Sequence, residues 1–145
     1  MKAALILLCL LLCVQSLTAA SMENEIFRLI NEYRQKKKLP ELKNNTSIAA
    51  AAQKHSHNMA SGRVGFGHGG FDNRIDKLLK NIKGANAGAE NVAYGSRSAA
   101  DVVKLWINSS GHRKNIVGKY TLTGVGIARS KKGTLYFTQI FINAK

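Results

Sequence analysis

Apolar residues along the chain fall into three patterns. From Ala3 to Val14 they form an unbroken run. From Glu23 onward Ile26, Leu29, Ile30 and Tyr33 recur at helical spacing and predict an amphipathic helix. Glu23 and Glu25 at its start and Lys36 to Lys38 at its end suit the helix dipole, and Leu39-Pro40 stops it because the residue before proline is pushed off helical angles. A second helix is predicted from about Ser47 to Ser61, with Ile48, Ala51, Ala52, His55 and Met59 on one face and Gly62 as a left-handed stop. His55 therefore points inward and is read as a hydrogen-bonded core histidine. His57 falls on another face and is read as a surface residue.

Further on, Arg63 to Asn73 is glycine-rich around Phe66 and His68, so the backbone there can turn tightly; it lacks the lysine and following helix of a phosphate loop. Phe71 to Leu79 reads as a short helix and Asn81 to Gly88 as a loop. Ser98 with Asp101 forms a capping box, and Val102, Val103, Trp106 and Ile107 make the stripe of a helix ending near Gly111. Ser109 and Ser110, at that helix end, are read as caps. The third pattern is β-branched and aromatic: Thr121 to Ala128 and Thr134 to Ile142 predict two strands joined by the turn Ser130-Lys131-Lys132-Gly133. Bulky residues on both faces of Leu135 to Phe141 place that strand centrally, under helices on both sides. The fold class is α+β.

The 145-residue composition changes this picture in three ways. First, Lys2, the run Ala3 to Val14 and the small residues Thr18-Ala19-Ala20 have the layout of a cleaved secretory signal over residues 1–20. The run is shorter than the roughly 20 residues that cross a bilayer, so a secreted, extracellular protein without a transmembrane anchor is expected. Residues 21–145 then form one domain, expected to be a monomer. Second, Cys9 and Cys13 both lie in the signal, so packing alone must stabilise the mature chain. Third, the formal charge is +14, and +13 once Lys2 leaves with the signal. Such a field favours anionic partners. The cations are scattered along the chain as on a solvated basic surface, with no interleaved aromatics, and nucleic-acid binding is not expected. Asn44 and Asn45 each begin a glycosylation sequon ahead of a helix, whereas Asn108 matches the pattern inside one and is read as structural.

Four blocks then become recognisable: Leu29 to Arg34; Ala52 to Ala60 leading to Phe66-Gly67-His68; Gly88 to Ala93 around Glu90; and Trp106 to Ile116 containing His112. In this order, followed by Gly124-Val125-Gly126 and Thr138-Gln139, the sequence resembles the CAP group of cysteine-rich secretory proteins, antigen 5 and pathogenesis-related 1, and in particular its short cysteine-poor bacterial-type branch. The resemblance covers about Ile26 to Phe141. It implies a three-layer α-β-α sandwich with a central antiparallel sheet. It also implies a cleft of two histidines and two acids that in some members binds a divalent metal. The matching positions are His68, Glu90 and His112; where many members carry the second acid, this chain has Ser109.

Two readings of the cleft follow. His68 and His112 with an open coordination position would hold a weakly bound divalent metal such as zinc, Glu90 orienting a histidine or taking a proton from metal-bound water as a hydrolase base. Alternatively the three side chains form a hydrogen-bonded network without turnover. No cofactor is required by the second reading. The loss of the second acid and the lack of a serine or cysteine nucleophile with a positioned base favour it. A non-catalytic extracellular binding or defence-type module, engaging an anionic surface, a lipid or a glycan, is therefore expected ahead of a metal-dependent, protease-like hydrolase using His68, His112 and Glu90.

Overall fold

Residues 22–145 are described by the computed structural model. The predicted signal, its two cysteines, and Ser21 at the start of the predicted domain lie outside the described residues. In chain order the elements are helix α1 (22–36), strand β1 (Lys43–Asn44), helices α2 (Thr46–Ala60) and α3 (Phe71–Asn81), strand β2 (Ala85–Tyr94), helices α4 (Ala99–Asn108) and α5 (Ser110–Ile116), and strands β3 (Leu122–Arg129) and β4 (Leu135–Ala144). The sheet order is β1-β3-β4-β2. Strand β4 lies between β3 and β2, central as its two-sided apolar sequence predicts, and is antiparallel to both. Only the two-residue β1 pairs parallel, with β3, so the sheet is mixed at that edge.

Alternation along the strands sorts the core into two layers. Phe137, Phe141, Val125 and Ile127 pack with Ile26 and Ile30 of α1 and with Val102 and Trp106 of α4. Ile140 and Ile142, on the other face of β4, pack with Ile48 and Ala52 of α2 and Ile75 and Leu78 of α3. This is the α-β-α sandwich. Two boundary expectations are corrected. Residues from Ala85 to Gly88, read as loop, are strand: Ala-Asn-Ala-Gly has no β-branched residue, and it is extended because β4 offers a ladder at Ala87↔Asn143 and Gly88↔Ile142. The helix through Trp106 ends at Asn108, where Ser109 turns extended (φ −90°, ψ 123°) and starts a separate α5.

Polar residues of the recurring blocks clamp these layers. Asn31 of α1 exchanges two hydrogen bonds with the Leu42 backbone, at 3.0 and 2.9 Å. Arg34, buried, donates to the carbonyls of Pro40, Ile116 and Gly118 at 2.8–3.0 Å and thereby ties α1 to the segment between α5 and β3. Burial lowers its pKa.

Candidate functional site

Glu90 lies mid-way along β2, on the face shared with Gly88 and turned toward α2 and α3. A Cβ on Gly88 would crowd the side-chain methyls of Ile75 and Ile142, so glycine there favours the close packing of α3 against β2. The close approach brings Arg74, the neighbour of Ile75, onto the Glu90 carboxylate. Arg74 Nε donates to Oε2 at 2.7 Å and Nη2 to Oε1 at 2.9 Å, a two-pronged pair. The Glu90 side chain is fully buried and that of Arg74 is 13% exposed.

His68 completes the cluster from the glycine-rich segment. Its Nδ1 is 2.9 Å from Glu90 Oε1; a carboxylate oxygen accepts, so Nδ1 carries the proton and Nε2 is left pointing away from the acid. The ring is 51% exposed. His55, buried as expected, places Nε2 at 2.8 Å from the Gly67 carbonyl and 3.8 Å from Glu90 Oε1. A carbonyl only accepts, so that Nε2 carries hydrogen and holds the loop bearing His68 down onto α2. His57 is exposed.

His112, the third residue of α5, is half-buried, and its Nδ1 is buried without a hydrogen-bond partner among the described residues. Its carbonyl accepts from Asn91 Nδ2 at 3.2 Å, and Asn115 Nδ2 donates to Asn91 Oδ1 at 2.9 Å and to the Glu90 carbonyl at 3.3 Å. These carboxamides dock α5 on β2 and set His112 beside the cluster. Ser109 occupies the N-cap position of α5 but makes no capping bond through its side chain, whereas Ser98 caps α4 as expected, accepting from the Asp101 amide at 3.1 Å. Of the two sequon asparagines, Asn44 is exposed on β1, and Asn45 commits its carboxamide oxygen to capping α2 at the Ile48 amide, 3.1 Å away.

Desolvation is the chief cause lowering the pKa of both His55 and His112, and the field of His68 adds to it at each. Folding thus favours the neutral rings, and the unfolded chain binds more protons. Stability associated with them is complete above the ordinary histidine value of 6.5 and falls as pH drops below it. Urea unfolding at pH 7.5 and pH 5.5 is expected to show a lower midpoint at the acid pH, and His55→Gln is expected to flatten the difference; an unchanged pH dependence in that variant would remove His55 as its source.

The donor set does not suit a tightly held metal. Both Glu90 oxygens are taken by Arg74 and His68, and two imidazoles are fewer than the three protein ligands usual at a catalytic zinc. Among the described residues no group of three or more His, Cys, Asp or Glu side chains converges to hold an ion. Arg74 is the residue that sequence reasoning overlooked. Its signal was present: it lies one helical turn before Leu78, next to Ile75, so a cation on the apolar stripe of α3 called for a buried acid.

Beside the cluster, Phe66 and Tyr94 are 51% and 55% exposed and touch edge to face with centroids 4.7 Å apart, and Tyr94 stacks on Tyr136 at 5.7 Å. Residues 27–141 match the model of the cysteine-rich secretory protein family, CAP. The chain belongs to this family. The CAP domain is similar to YkwD, an uncharacterized Bacillus subtilis protein, at 29% identity over 86% of this chain and 48% of that one. It resembles in structure an extracellular protein containing an SCP domain from Bacillus anthracis, with 28% identity and a TM-score of 0.73 over 86% of this chain and 41% of the other. An outer surface protein of Borrelia burgdorferi shares the fold, with a TM-score of 0.68 and 22% identity over 82% and 90% of the two chains. The CAP domain thus spans about half of YkwD. Among the described residues no helix is long and apolar enough to cross a membrane.

Proposed function

We propose that this CAP domain is a secreted, non-catalytic binding module that engages an anionic surface, lipid or glycan through the rim of the His68–Glu90–His112 cleft. The observation that carries this reading is the burial and pairing of Glu90. Its side chain has no exposure to solvent, and both its oxygens already accept, two bonds from the Arg74 guanidinium and one from the His68 imidazole, so it serves to hold Arg74 and His68 in place. What faces outward is an imidazole edge and a patch of exposed aromatic rings, groups that bind by stacking and hydrogen bonding. The formal charge, +14 for the full sequence and +13 without the signal, draws anionic partners toward them. The extracellular and outer-surface descriptions of the two structural neighbours agree with the secretory layout of residues 1–20.

Binding to anionic liposomes, heparin and bacterial envelopes, each measured at low and high salt, tests the proposal. Retention by at least one of them is expected, weakening as added salt screens the charges. No salt-sensitive binding to any of the three would sink it.

A further inference from the structure

A second feature adjoins the cluster at Arg74 and His55. Helices α2 and α3 border a groove of about 420 Å³, within the size range of small-molecule sites. Its α2 wall is the stripe Ser47, Ala51, Lys54 and Asn58, spaced by three or four residues; its α3 wall is the stripe Gly70, Asn73, Lys77 and Asn81. Ala51, Val64 and Leu78 supply an apolar floor, and the small side chain of Ala51 leaves the space open.

The charge of the lining has one sign. It contains Lys54, Arg74 and Lys77 and neither an aspartate nor a glutamate. Arg74 is matched by Glu90, which leaves the two lysines, one on each wall. Both lysines are exposed, and neither is in a salt bridge among the described residues. The acids of α3, Asp72 and Asp76, are offset around the helix from the stripe that faces the groove and do not line it. An apolar floor flanked by two opposed, unneutralised ammonium groups is complementary to a ligand with an apolar body and a negative head. Lysine stems can lie along the apolar part while their charges meet the head at the mouth.

We propose that the α2–α3 groove is a binding site for a single small amphipathic organic anion, an apolar ring-sized body bearing a carboxylate, sulfate, sulfonate or phosphate. The body packs on Ala51, Val64 and Leu78. Lys54 and Lys77 clasp the anionic group from opposite walls, and the carboxamides of Asn58 and Asn73 are within the lining to bond its polar substituents. A neutral lipid would leave the ammonium groups unused, and a purely polar polyanion would leave the floor wet; the composition of the groove selects a molecule with both parts. The groove adjoins the cleft and shares Arg74 and His55 with it, but its two lysines and its apolar floor are not part of the His68–Glu90–His112 rim, so the proposal does not depend on that rim binding anything.

The test uses the fluorescent sulfonate 8-anilinonaphthalene-1-sulfonate as the probe, with the neutral arene N-phenyl-1-naphthylamine beside it. Saturable sulfonate binding by the purified protein is expected. The double variant Lys54→Glu/Lys77→Glu, at two exposed positions, is expected to weaken it by about tenfold or more, since both contacts change from attraction to repulsion. Ala51→Trp, which fills the floor, is expected to abolish it while thermal unfolding stays cooperative; if that variant does not fold, the lysine pair decides alone. Lys131→Glu/Lys132→Glu on the β3–β4 turn, matched in charge change, is expected to bind like the parent. The proposal is overturned if the parent shows no saturable binding, if the two lysine pairs weaken it equally, if the groove variants leave it unchanged, or if the neutral arene binds as tightly as the sulfonate.

Discussion

Replacing Arg74 by methionine is expected to lower the unfolding free energy by about 3–5 kcal/mol, because it strands the carboxylate of Glu90 in a site with no access to water. Only His68 would remain in hydrogen-bond contact with that charge, its ring half in solvent, while the His55 ring 3.8 Å away is bonded to the Gly67 carbonyl. The cost belongs to the orphaned partner, not to the attraction lost, so the double variant Arg74→Met/Glu90→Met is expected to be more stable than Arg74→Met by itself. Urea unfolding of the three proteins measures this directly. A single variant within about 1 kcal/mol of the parent would mean that the pair behaves as a screened surface pair, and the account of the cleft as a rigid buried anchor would fail. The functional consequence runs through His68: with the carboxylate no longer clamped, the ring loses the fixed acceptor that sets its tautomer and aim.

Gly126→Ala is expected to cost about 3 kcal/mol or more, above the usual range for an overpacked position, because the obstruction is backbone. On the α2-facing side of β3, Gly124 and Gly126 carry no side chain, and α2 rests directly on the strand. A Cβ on Gly126 would fall far inside van der Waals contact of the Gln53 amide nitrogen and the Ala52 carbonyl carbon, and one on Gly124 would meet Ala49 in the same way. No rotamer change relieves such a clash; the helix would have to lift. That would break the bond that Ser56 Oγ donates to Gly126 O and the one it accepts from Thr138 Oγ1, both 2.8 Å, and the bond from Gln53 Nε2 to Ile127 O, also 2.8 Å. The control is Gly65→Ala in the glycine-rich segment, where an added methyl meets nothing within 4 Å, and a change within about 0.5 kcal/mol is expected. Equal thermal shifts for the two variants would refute the close approach. The lifted helix also carries His55, so the Gly126 variant is expected to loosen the loop that presents His68.

These two results bear on what the recurring sequence blocks do. Asn31 and Arg34, Trp106 with its Nε1 donating to the Val92 carbonyl at 3.3 Å, and Asn115 clamp the layers of the sandwich. A block can therefore identify the scaffold while saying little about function. The same holds for the family resemblance: it selected His68, Glu90 and His112, but it did not say which of them would be free to act.

The sequence by itself determined the elements whose burial is periodic or two-sided. The stripes of α1, α2 and α4, the cap at Ser98 and the central position of β4 all follow from local spacing, since each of those signals depends on neighbours a few residues away. Strand β2 was not predicted from local pattern; its first half, Ala85 to Gly88, was read as loop and is extended by pairing with β4, more than fifty residues further on. The break at Ser109 escaped for a related reason: neither a proline nor a glycine stands at it, and the docking of α5 on β2 through Asn91 and Asn115 goes with where the helix turns. Tertiary structure likewise decided the character of the cleft. The chain places three polar side chains on a loop, a strand and a helix; that a guanidinium from a fourth element occupies the carboxylate, and that two lysines from facing helices share a groove without an acid, depends on how α3 packs against β2 and α2. Charge pairing across elements has no period along the chain, because which cation reaches which anion is fixed by the distance between surfaces, a distance that the missing side chain of Gly88 helps keep short here.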